Sequence, residues 1–423
     1  MKILLVGGTW TVDPEEVFED HRRSKIVDMV GCAMKDYCIE HYGSDYSIDI
    51  YNGGCYYNLD AILNKTTGYN IVFWWANVPD NSLPKIRDVK EVAPHTMLVT
   101  SKRNDGDKYS FMELTQHALA IKANMFFEFK KMEKENESGE TTKMFHINVF
   151  DPLGNHWYDG FDVVKATIAV MNRLEYLRNI TRQKTIKSDI EKETVMNALF
   201  KNSIGKMMRS EKLVDIPDES EFIEIVRKHA ETFYQIFNPG EDVKRFLGNA
   251  SLRPSNFHST RCMRGMPSFK VNNMIFVSQR NVDKQFIDID HFVPCYMEDG
   301  KLYYCGDNKP SVDAPIQLRL YEALPHINYI IHSHCYIKDA SFTSKPIPCG
   351  AIEEVDEVLK MVKRYDEEYL KATEKTRCIK DAKPMMYMIN LKGHGSLVLS
   401  SDASLMKNVE YVGRELPEIM FET

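Results

Sequence analysis

Two histidines stand one residue apart at the end of an apolar run, in the stretch NYIIHSHC of residues 328–335. Side chains alternate between the two faces of a strand, so His332 and His334 are expected on the same face as Ile330. Two imidazoles on one strand face can share a metal ion. The alternative is a pair of ordinary polar residues at an exposed strand end, and this stretch alone does not decide between the two.

Two other segments carry residue types that suit a metal or acid–base site. The segment KPSVDAP is interpreted as a turn that brings Asp313 to the start of a helix, which carries Leu318 and Tyr321. In NLKGHGSLVLSSD, His394 lies between two glycines, after the predicted strand PMMYMIN. Glycines on both sides allow the backbone to approach other groups closely. Each segment on its own is weak evidence for a site.

The composition describes a folded chain that is long enough for two domains. It has 423 residues, of which 43% are hydrophobic and 27% are charged, with both signs mixed. The formal net charge is −7 and the isoelectric point is about 6.0. This balance argues against nucleic acid or an anionic membrane surface as the partner.

The chain shows no recognisable signal peptide or membrane span, and its cysteine usage is that of a reducing compartment, so we predict a cytoplasmic protein. The start, MKILLVGGTW, is interpreted as a first strand rather than a signal peptide. No stretch approaches the roughly 18 uninterrupted apolar residues of a membrane span. The nine cysteines include no CxxC pair, which is typical of a reducing compartment.

Strand-like and helix-like stretches alternate in the first part of the chain, which predicts a parallel sheet with helices on its faces. The polar stretch 134–143 is predicted as an exposed loop. Helices are predicted at 188–208, where Ser188 is a candidate N-cap, and at 218–237. The predicted organisation is a Rossmann-like α/β domain at 1–185, a helical linker at 186–217 and a second α/β domain at 218–423.

The chain from about residue 220 to 420 resembles the class II aldolase/adducin superfamily, and most nearly its L-ribulose-5-phosphate 4-epimerase and L-fuculose-phosphate aldolase branch. The specific combination is an HxH pair preceded by Pro-Ser-x-Asp and followed by His-Gly. The resemblance covers somewhat under half of the chain and implies an α/β/α domain. It depends on six stretches in order: LGNASLR (247–253), IFVSQRNVDK (275–284), KPSVDAP, LYEALPHINYIIHSHC, KPIPCGAIEE (345–354) and KGHGSLVLSSD.

The resemblance implies a metal site. In the family the two histidines of the HxH pair and the later histidine bind a divalent metal, usually zinc. In this chain those residues are His332, His334 and His394. Asp313 takes the place of an acidic residue that serves the family as a metal ligand or as an acid/base catalyst. Three protein ligands leave one position open, as catalytic zinc requires.

The implied function is that of a zinc-dependent aldolase or epimerase. Such an enzyme breaks a C–C bond by retro-aldol chemistry through a metal-stabilised enediolate, and an epimerase then adds the aldehyde back from its other face. The implied substrate is a phosphorylated sugar or a related anionic carbonyl compound, which places the protein in carbohydrate metabolism. The implied assembly is a homo-oligomer, a tetramer by resemblance.

A Gly-Asn-x-Ser-x-Arg element helps to hold the substrate phosphate in the family. Here it corresponds to Gly248, Asn249, Ser251 and Arg253. The element offers backbone N–H groups, two neutral hydrogen-bonding side chains and a fixed cation. The alternative interpretation of GNAS is a simple turn.

The chain departs from the family in two places near the predicted site. Arg280 and Asn281 stand where a second phosphate-binding element usually has Ser-Gly, and Arg261 and Arg264 lie nearby in sequence. An arginine-rich rim suits an anionic substrate. Gln317 replaces a histidine that often follows the acidic residue. Because of these differences the identity of the substrate is not carried over from the family.

The proton donor of the family is commonly a tyrosine or another group from a neighbouring subunit. Candidates here are Tyr336, just past the HxH pair, and Tyr411 in NVEYVGRE. The alternative for Tyr411 is a packing residue.

The N-terminal part weakly resembles the nucleotide-binding fold of phosphopantothenoylcysteine synthetases. The stretch LLVGGTW, a strand that leads into a Gly-Gly-Thr turn, can present the backbone N–H groups of Gly7, Gly8 and Thr9 to a phosphate. Asn77 and Asp80 are predicted at the C-terminal end of a strand, where α/β sheets bind ligands. The alternative is a Rossmann-like domain that serves assembly only.

Two further hypotheses compete with a simple metal-dependent lyase or 4-epimerase. One is a bifunctional enzyme whose N-terminal domain is a nucleotide-using, ligase-like module. The other is a non-catalytic, adducin-like interaction protein, which usually lacks the metal-binding histidines. Chains of this superfamily carry out aldol cleavage, epimerisation and dehydration, so a fold analogy cannot choose among these reactions.

Overall fold

The structure is a computed structural model, and it describes ten stretches of the chain. Its two compact units consist mainly of Met1–Asn179 for the first, and of Ile180–Ile236 with Lys244–Glu415 for the second. The described residues are 1–11, 23–55, 57–78, 86–135, 141–196, 219–233, 235–237, 244–253, 274–374 and 384–413.

Helices and strands alternate through both units. The α-helices are α1 (Lys25–Tyr42), α2 (Tyr57–Lys65), α3 (Ile86–Val92), α4 (Phe111–Ala120), α5 (Val163–Asn179), α6 (Lys192–Met196), α7 (Glu219–Lys228), α8 (Ala314–Ala323) and α9 (Glu353–Glu374). Short 3-10 helices span Thr66–Gly68, Ala230–Thr232, Lys284–Phe286, Ile289–His291 and Ala403–Asn408.

The strands of the described residues form two large sheets and two small ladders. In the first unit they are β1 (Lys2–Thr11), β2 (Ser47–Cys55), β3 (Ile71–Trp74), β4 (Met97–Arg103), β5 (Met125–Glu135), β6 (Thr141–Phe150) and β7 (His156–Gly160). The later strands are β8 (Thr185–Lys187), β9 (Gln235–Phe237), β10 (Lys244–Phe246), β11 (Asn249–Leu252), β12 (Ile275–Ser278), β13 (Phe292–Glu298), β14 (Lys301–Tyr304), β15 (Tyr329–Ser333), β16 (Tyr336–Ile337), β17 (Ser341–Phe342), β18 (Met386–Leu391), β19 (Gly395–Ser400) and β20 (Tyr411–Gly413).

The first unit is built on a seven-stranded sheet of order β2-β1-β3-β4-β5-β6-β7. The first five strands are parallel, as predicted for a Rossmann-like domain. Strand β1 is buried on both faces: Ile3 and Leu5 pack with α1 and α5, while Leu4 and Val6 pack with α2 and α3. Helices therefore cover both sides of the sheet, and the predicted α/β class is confirmed.

Strands β6 and β7 differ from the parallel prediction, because each pairs antiparallel with the strand before it. Only residues 136–140 separate β5 from β6. A parallel connection needs a crossover of a dozen or more residues, so this short link permits only a hairpin. The predicted loop 134–143 is accordingly too long, since β5 continues to Glu135 and β6 begins at Thr141.

The second unit is built on a nine-stranded sheet of order β17-β18-β19-β15-β11-β12-β13-β14-β8. The pairs are antiparallel, except for β17 with β18 and β14 with β8. Helices α8 and α9 pack on one face, and α7 with Ala403–Asn408 packs on the other. This is the α/β/α layering that the family resemblance implied.

The segment predicted as a helical linker contains other structure. Thr185–Lys187 forms an edge strand of the second sheet, and its described helix is only Lys192–Met196. Ser188 does not cap a helix: its hydroxyl lies 2.8 Å from the Tyr296 hydroxyl and accepts the Ile190 N–H. Residues 197–218 lie outside the described residues, so the limits 1–185, 186–217 and 218–423 stay a prediction.

The helix predicted at 218–237 ends early. Helix α7 stops at Lys228, a 3-10 turn follows at Ala230–Thr232, and β9 begins at Gln235. Within the described ranges, none of the helices is both long and apolar enough to cross a membrane.

Candidate metal centre

Strand β15 runs through the middle of the second sheet, between β19 and β11. All five of its residues are buried, since Tyr, Ile and Ile side chains pack on both faces. His332 is 2% exposed and His334 is 5% exposed. The alternative of two polar residues at an exposed strand end is therefore wrong for this pair.

His394 approaches His332 and His334 from a tight hairpin. Strands β18 and β19 pair antiparallel with Leu391 opposite Gly395, so His394 lies in the turn that joins them. The His394 N–H donates to the Leu391 carbonyl at 2.9 Å. β19 is also the neighbour of β15, with Leu397 opposite His332. Sheet pairing thus brings the third histidine to the first two, although they are distant in sequence.

The surroundings of Gly395 show why a glycine follows His394. Its φ is +99°, and a Cβ at this position would lie 2.1 Å from the Ser333 carbonyl oxygen and 2.7 Å from the His334 Cα. The flanking glycines predicted that the backbone at His394 comes close to another group. That group is the backbone of Ser333 and His334, in the HxH stretch itself. A side chain here would push the hairpin away from His334.

We expect Gly395→Ala to cost at least about 1–3 kcal/mol of unfolding free energy, from backbone strain and from the clash with Ser333. Chemical denaturation would measure this cost. The matched control is Gly413→Ala, because Gly413 has a similar φ of +102° and open space at its Cβ position among the described residues. Equal losses in both variants would contradict a specific contact at Gly395.

The three imidazoles form one compact, buried cluster. One ligand atom can be chosen from each of His332, His334 and His394 so that all three atoms lie within 4.8 Å of one another. The ring centroids are 4.6–5.3 Å apart. Three nitrogen donors at this spacing are a donor set that zinc accepts in catalytic sites.

The tautomer of His332 is set by its surroundings. Its Nδ1 lies 3.1 Å from the Ser396 carbonyl oxygen, which can only accept, so the ring hydrogen is on Nδ1. The buried Nε2 makes no hydrogen bond among the residues that the structure describes. Burial lowers the pKa of His332 to about 4, an effect that the nearby Asp313 carboxylate only partly offsets. The ring is therefore neutral at pH 7, with a lone pair available on Nε2.

Glu354 holds the third histidine, a role that the sequence analysis did not predict. Its Oε2 lies 2.7 Å from Nδ1 of His394, and both side chains are almost fully buried. Burial raises the pKa of the Glu354 carboxyl, and the contact with His394 opposes that rise. With Oε2 of Glu354 as the acceptor, His394 carries its ring hydrogen on Nδ1. A carboxylate–histidine pair of this kind is typical of metal ligands.

Replacement of Glu354 by Gln is expected to weaken metal binding by about 10–100-fold, because an amide neither fixes the tautomer nor raises the basicity of His394 as a carboxylate does. Competition with a chromogenic chelator would measure the affinity. Asp356→Asn, an exposed position on the same helix, is the control. Unchanged affinity in Glu354→Gln would show that the contact does not tune the site.

Asp313 lies at the N-terminus of α8 and is also buried. Its Oδ2 accepts the Asn249 amide N–H at 2.8 Å, and its Oδ1 accepts the Gly350 N–H at 3.0 Å. The Cys349 thiol donates to Oδ1 at 3.3 Å, and burial raises the pKa of that thiol well above its usual range. Both oxygens of the Asp313 carboxyl group therefore accept hydrogen bonds from the protein. Among the described residues, the cluster of possible metal ligands consists of the three histidines without Asp313.

Asn249 is fully buried, and its amide group is occupied by protein partners. It donates to Ser311 at 3.0 Å and to Asp313, and its carbonyl accepts from the Gln317 side chain. In this structure Asn249 positions Asp313, and Gln317 in turn positions Asn249. Its predicted contact with a substrate phosphate stays a prediction.

Ser251 and Arg253 lie farther along β11, away from the histidines. Ser251 is fully buried with its hydroxyl 3.0 Å from the Tyr321 hydroxyl. Arg253 stacks over the Tyr321 ring at 4.9 Å and donates to the carbonyls of Tyr321 and Pro325. Because Asn249 pairs with His332 and each residue advances a strand by about 3.3 Å, Arg253 lies about 13 Å along the strand. The structure does not bring Arg253 to the histidines.

Arg280 and Asn281 form a turn after β12. Arg280 is exposed, and its N–H donates to the Lys309 carbonyl at 2.8 Å. Asn281 has a φ of +64°, and its side-chain oxygen accepts the Phe246 N–H at 2.9 Å. This turn is thereby tied to the residues just before Gly248. The predicted candidates Arg261 and Arg264 lie outside the described residues.

The two tyrosine candidates differ in their surroundings. Tyr336 is buried, and its hydroxyl accepts the Gly393 N–H at 3.2 Å, one residue from His394. Tyr411 lies in β20 with its ring 5.4 Å from that of His229, and burial raises its pKa. This contact suits the packing role, and Tyr336 is the candidate nearer to the three histidines.

The predicted ligand-binding turn of the first unit has a different form. Strand β1 does not end at Gly7 but continues to Thr11, with a register shift between Gly7 and Trp10. A Cβ on Gly7 would lie 2.3 Å from the Val27 side chain, so this glycine permits close packing of α1. Gly8 has a φ of +70°.

Asn77 pairs with this bulged strand. Its N–H donates to the Gly8 carbonyl at 2.9 Å, and its carbonyl accepts the Trp10 N–H at 3.0 Å. Thr9 and Asn77 thus form a bridge, which ties the ends of β1 and β3 together. Asp80 lies outside the described residues, and a ligand at Gly7, Gly8 and Thr9 stays a prediction.

The C-terminal part matches a known family. Residues 230–414 match the model for the class II aldolase and adducin N-terminal domain, and this confirms the resemblance inferred from the motifs. The matched range includes His332, His334, His394, Asp313 and Asn249. This part of the chain is therefore similar to class II aldolase and adducin N-terminal domains.

Several solved structures are similar to parts of the chain. The DNA/pantothenate metabolism flavoprotein from Streptococcus pneumoniae is 11% identical, with a TM-score of 0.31 over 42% of this chain and 99% of that chain. The C-terminal domain of the coenzyme A biosynthesis bifunctional protein CoaBC is 13% identical, with a TM-score of 0.30 over 42% of this chain and 96% of that chain. An L-fuculose 1-phosphate aldolase is 15% identical, with a TM-score of 0.26 over 45% of this chain and 79% of that chain. No curated protein matches the chain.

Proposed function

We propose that the second unit is a metal-dependent lyase or 4-epimerase, with a divalent metal, preferably zinc, held by His332, His334 and His394. The observation that carries the proposal is the buried cluster of three imidazoles within 4.8 Å, with His394 backed by Glu354. The family match supports an enzyme of the aldolase/epimerase superfamily. The donor set fits zinc, since three histidine nitrogens leave one position open for a substrate.

A metal bound at these residues would supply electrophilic stabilisation of negative charge on a substrate oxygen. The chain's own residues provide the rest. The hydrogen bonds that His332 donates to the Ser396 carbonyl and His394 donates to Glu354 orient two of the rings, and the buried strands exclude water from behind them. Asp313, held in position by its hydrogen bonds to Asn249 and Gly350, is the group that we assign to proton transfer with a substrate hydroxyl.

Retro-aldol cleavage suits this arrangement. A base takes the proton of the hydroxyl that becomes the aldehyde, the adjacent C–C bond breaks, and its electron pair stays on the fragment that bears the carbonyl. Aldolase and 4-epimerase share this step and differ in the fate of the aldehyde, which an aldolase releases and an epimerase adds back. The substrate that we propose is a phosphorylated sugar or a related anionic carbonyl compound.

The test is a cleavage assay on the full chain. Protein loaded with zinc, manganese or cobalt is incubated with phosphorylated ketoses, aldehyde release is followed by a coupled dehydrogenase, and epimers are resolved by NMR. We expect turnover that disappears with a chelator and returns with metal. Metal-loaded protein without turnover on any such substrate would instead favour the adducin-like interaction protein.

As a second candidate function, the first unit is a nucleotide-using module of a bifunctional enzyme. Its five parallel strands and the positive φ of Gly8 beside Asn77 support a nucleotide or phosphate site at this edge. A thermal shift of the full chain with nucleotides would test this role. Cytoplasmic location and a homo-tetrameric assembly also remain proposals, and mass photometry would test the latter.

A further inference from the structure

One buried cation, Lys284, lies near the metal centre and has no part in the proposed chemistry. It begins a 3-10 helix whose next residues, Gln285 and Phe286, are exposed, yet Lys284 itself is only 2% exposed. Lysine is almost never buried unless its charge is paired. Burial lowers the pKa of Lys284 to about 8, so most of it is still protonated at pH 7.

Among the residues that the structure describes, the Lys284 ammonium group has few partners. Its Nζ donates to the Leu247 carbonyl at 3.5 Å and lies 5.3 Å from the centre of the Phe233 ring. Within the described stretches it forms no ion pair with a carboxylate. The adjacent Asp283 uses its side chain to accept the Gln285 N–H. A buried ammonium with one long hydrogen bond retains most of its capacity to bind an anion.

The position of Lys284 links it to the histidine cluster. Its partner Leu247 immediately precedes Gly248 and Asn249, and Asn249 pairs with His332. A Cβ on Gly248 would lie 2.7 Å from the His332 carbonyl oxygen and 2.7 Å from the Phe233 ring. Gly248 and Phe233 therefore fill the short space between the lysine and the strand of the metal ligands.

Electrostatics favours an anion at this place. A divalent metal on the three histidines and the Lys284 ammonium are like charges, which repel each other in a buried site of low polarisability. An anionic group that contacts the ammonium relieves this repulsion and satisfies its remaining N–H donors. Charge-assisted hydrogen bonds of this kind are roughly twice as strong as neutral ones.

We propose that Lys284 is the cation that binds the anionic group of the substrate beside the metal centre, in the place predicted for Arg253. The inference rests on the proposed function in taking the substrate to be anionic. Lys284 contacts the Leu247 carbonyl just before β11 begins, whereas Arg253 lies at the other end of that strand with its N–H groups bonded to carbonyls. The alternative is that Lys284 only holds the Leu247 carbonyl.

Inorganic phosphate is the probe that separates these roles. Full-length protein, cleared of unbound metal, is titrated with phosphate by calorimetry, and its bound metal is measured in the same samples. Lys284→Met removes the charge, and Lys284→Gln removes the charge but keeps an N–H donor for Leu247. Lys309→Met is the control, since Lys309 is exposed and only its carbonyl contacts the turn at Arg280.

We expect both Lys284 variants to bind phosphate about 10–100-fold more weakly than wild type and Lys309→Met, with metal content unchanged. Wild-type affinity in Lys284→Gln, or no phosphate binding by wild type, would overturn the inference. The metal measurement keeps the two proposals apart. Phosphate binding that depends on Lys284 in a protein without metal would sustain this inference while it removes the metal-dependent function.

Discussion

Replacement of His332 by alanine is expected to abolish stoichiometric metal binding and to lower affinity by well over 100-fold. His332 supplies one of three nitrogens, and its Nε2 is buried with the ring hydrogen fixed on Nδ1 by the Ser396 carbonyl. Loss of a partner that merely orients a metal ligand already costs about 10–100-fold, so loss of the ligand itself costs more. Chelator competition would measure the affinity.

Thermal unfolding gives an independent readout of the same change. Added zinc should raise the melting temperature of the wild type, because a ligand that binds only the folded state stabilises it, and it should not do so for His332→Ala. His95→Ala, an exposed histidine of the first unit, is the control. If His332→Ala retained zinc with wild-type affinity, the three histidines would not be the site.

Replacement of Asp313 by asparagine is expected to reduce turnover by about 10²–10⁴-fold while bound metal remains. The carboxylate can exchange a proton with a substrate hydroxyl, and an amide cannot. Both oxygens of Asp313 accept hydrogen bonds, from Asn249 and from Gly350, so the NH₂ of an asparagine must face a donor. We therefore also expect a loss of about 1–3 kcal/mol in unfolding free energy.

The metal content of this variant separates two roles for Asp313. Retained metal with low turnover indicates proton transfer, whereas metal loss as complete as in His332→Ala indicates a direct ligand. Asp307→Asn is the control, because its carboxylate is exposed and pairs only on the surface with Lys187. Unchanged turnover in Asp313→Asn would contradict a role in the chemistry.

The three candidate metal ligands could be proposed from the sequence because the motifs that carry the family resemblance are local. A period of two residues places His332 and His334 on one face of a strand, and glycine at 395 permits a close approach. The sequence could not predict which part of the chain Gly395 approaches, because that depends on the pairing of β19 with β15. The contact of Glu354 with His394 was missed for the same reason: it joins the first turn of a helix to a hairpin 40 residues away.

The predicted substrate-binding side chains have protein partners in the structure. The motif suggested that Asn249 and Arg253 face a phosphate, but Asn249 is occupied by Asp313 and Gln317, and Arg253 by carbonyls. Lys284 carried no sequence signal of its own, since a lysine in a polar stretch is usually exposed. Only the packing of its turn against Leu247 shows that it is buried.

The first unit was predicted in its class but not in its detail. Alternating elements indicated the parallel strands, yet the continuation of β1 past Gly7 depends on its bridge to Asn77, which no local pattern encodes. The antiparallel strands β6 and β7 result from a link too short for a crossover. Link length is read from the sequence only once both strand ends are known.

The most direct test of the metal centre is the metal content of the purified wild-type protein, measured by inductively coupled plasma mass spectrometry before and after chelation and reloading. The arrangement of His332, His334 and His394 predicts about one divalent metal per chain, lost with the chelator and regained with zinc. A wild-type protein that carries no metal and takes up none on reloading would contradict a metal-dependent function.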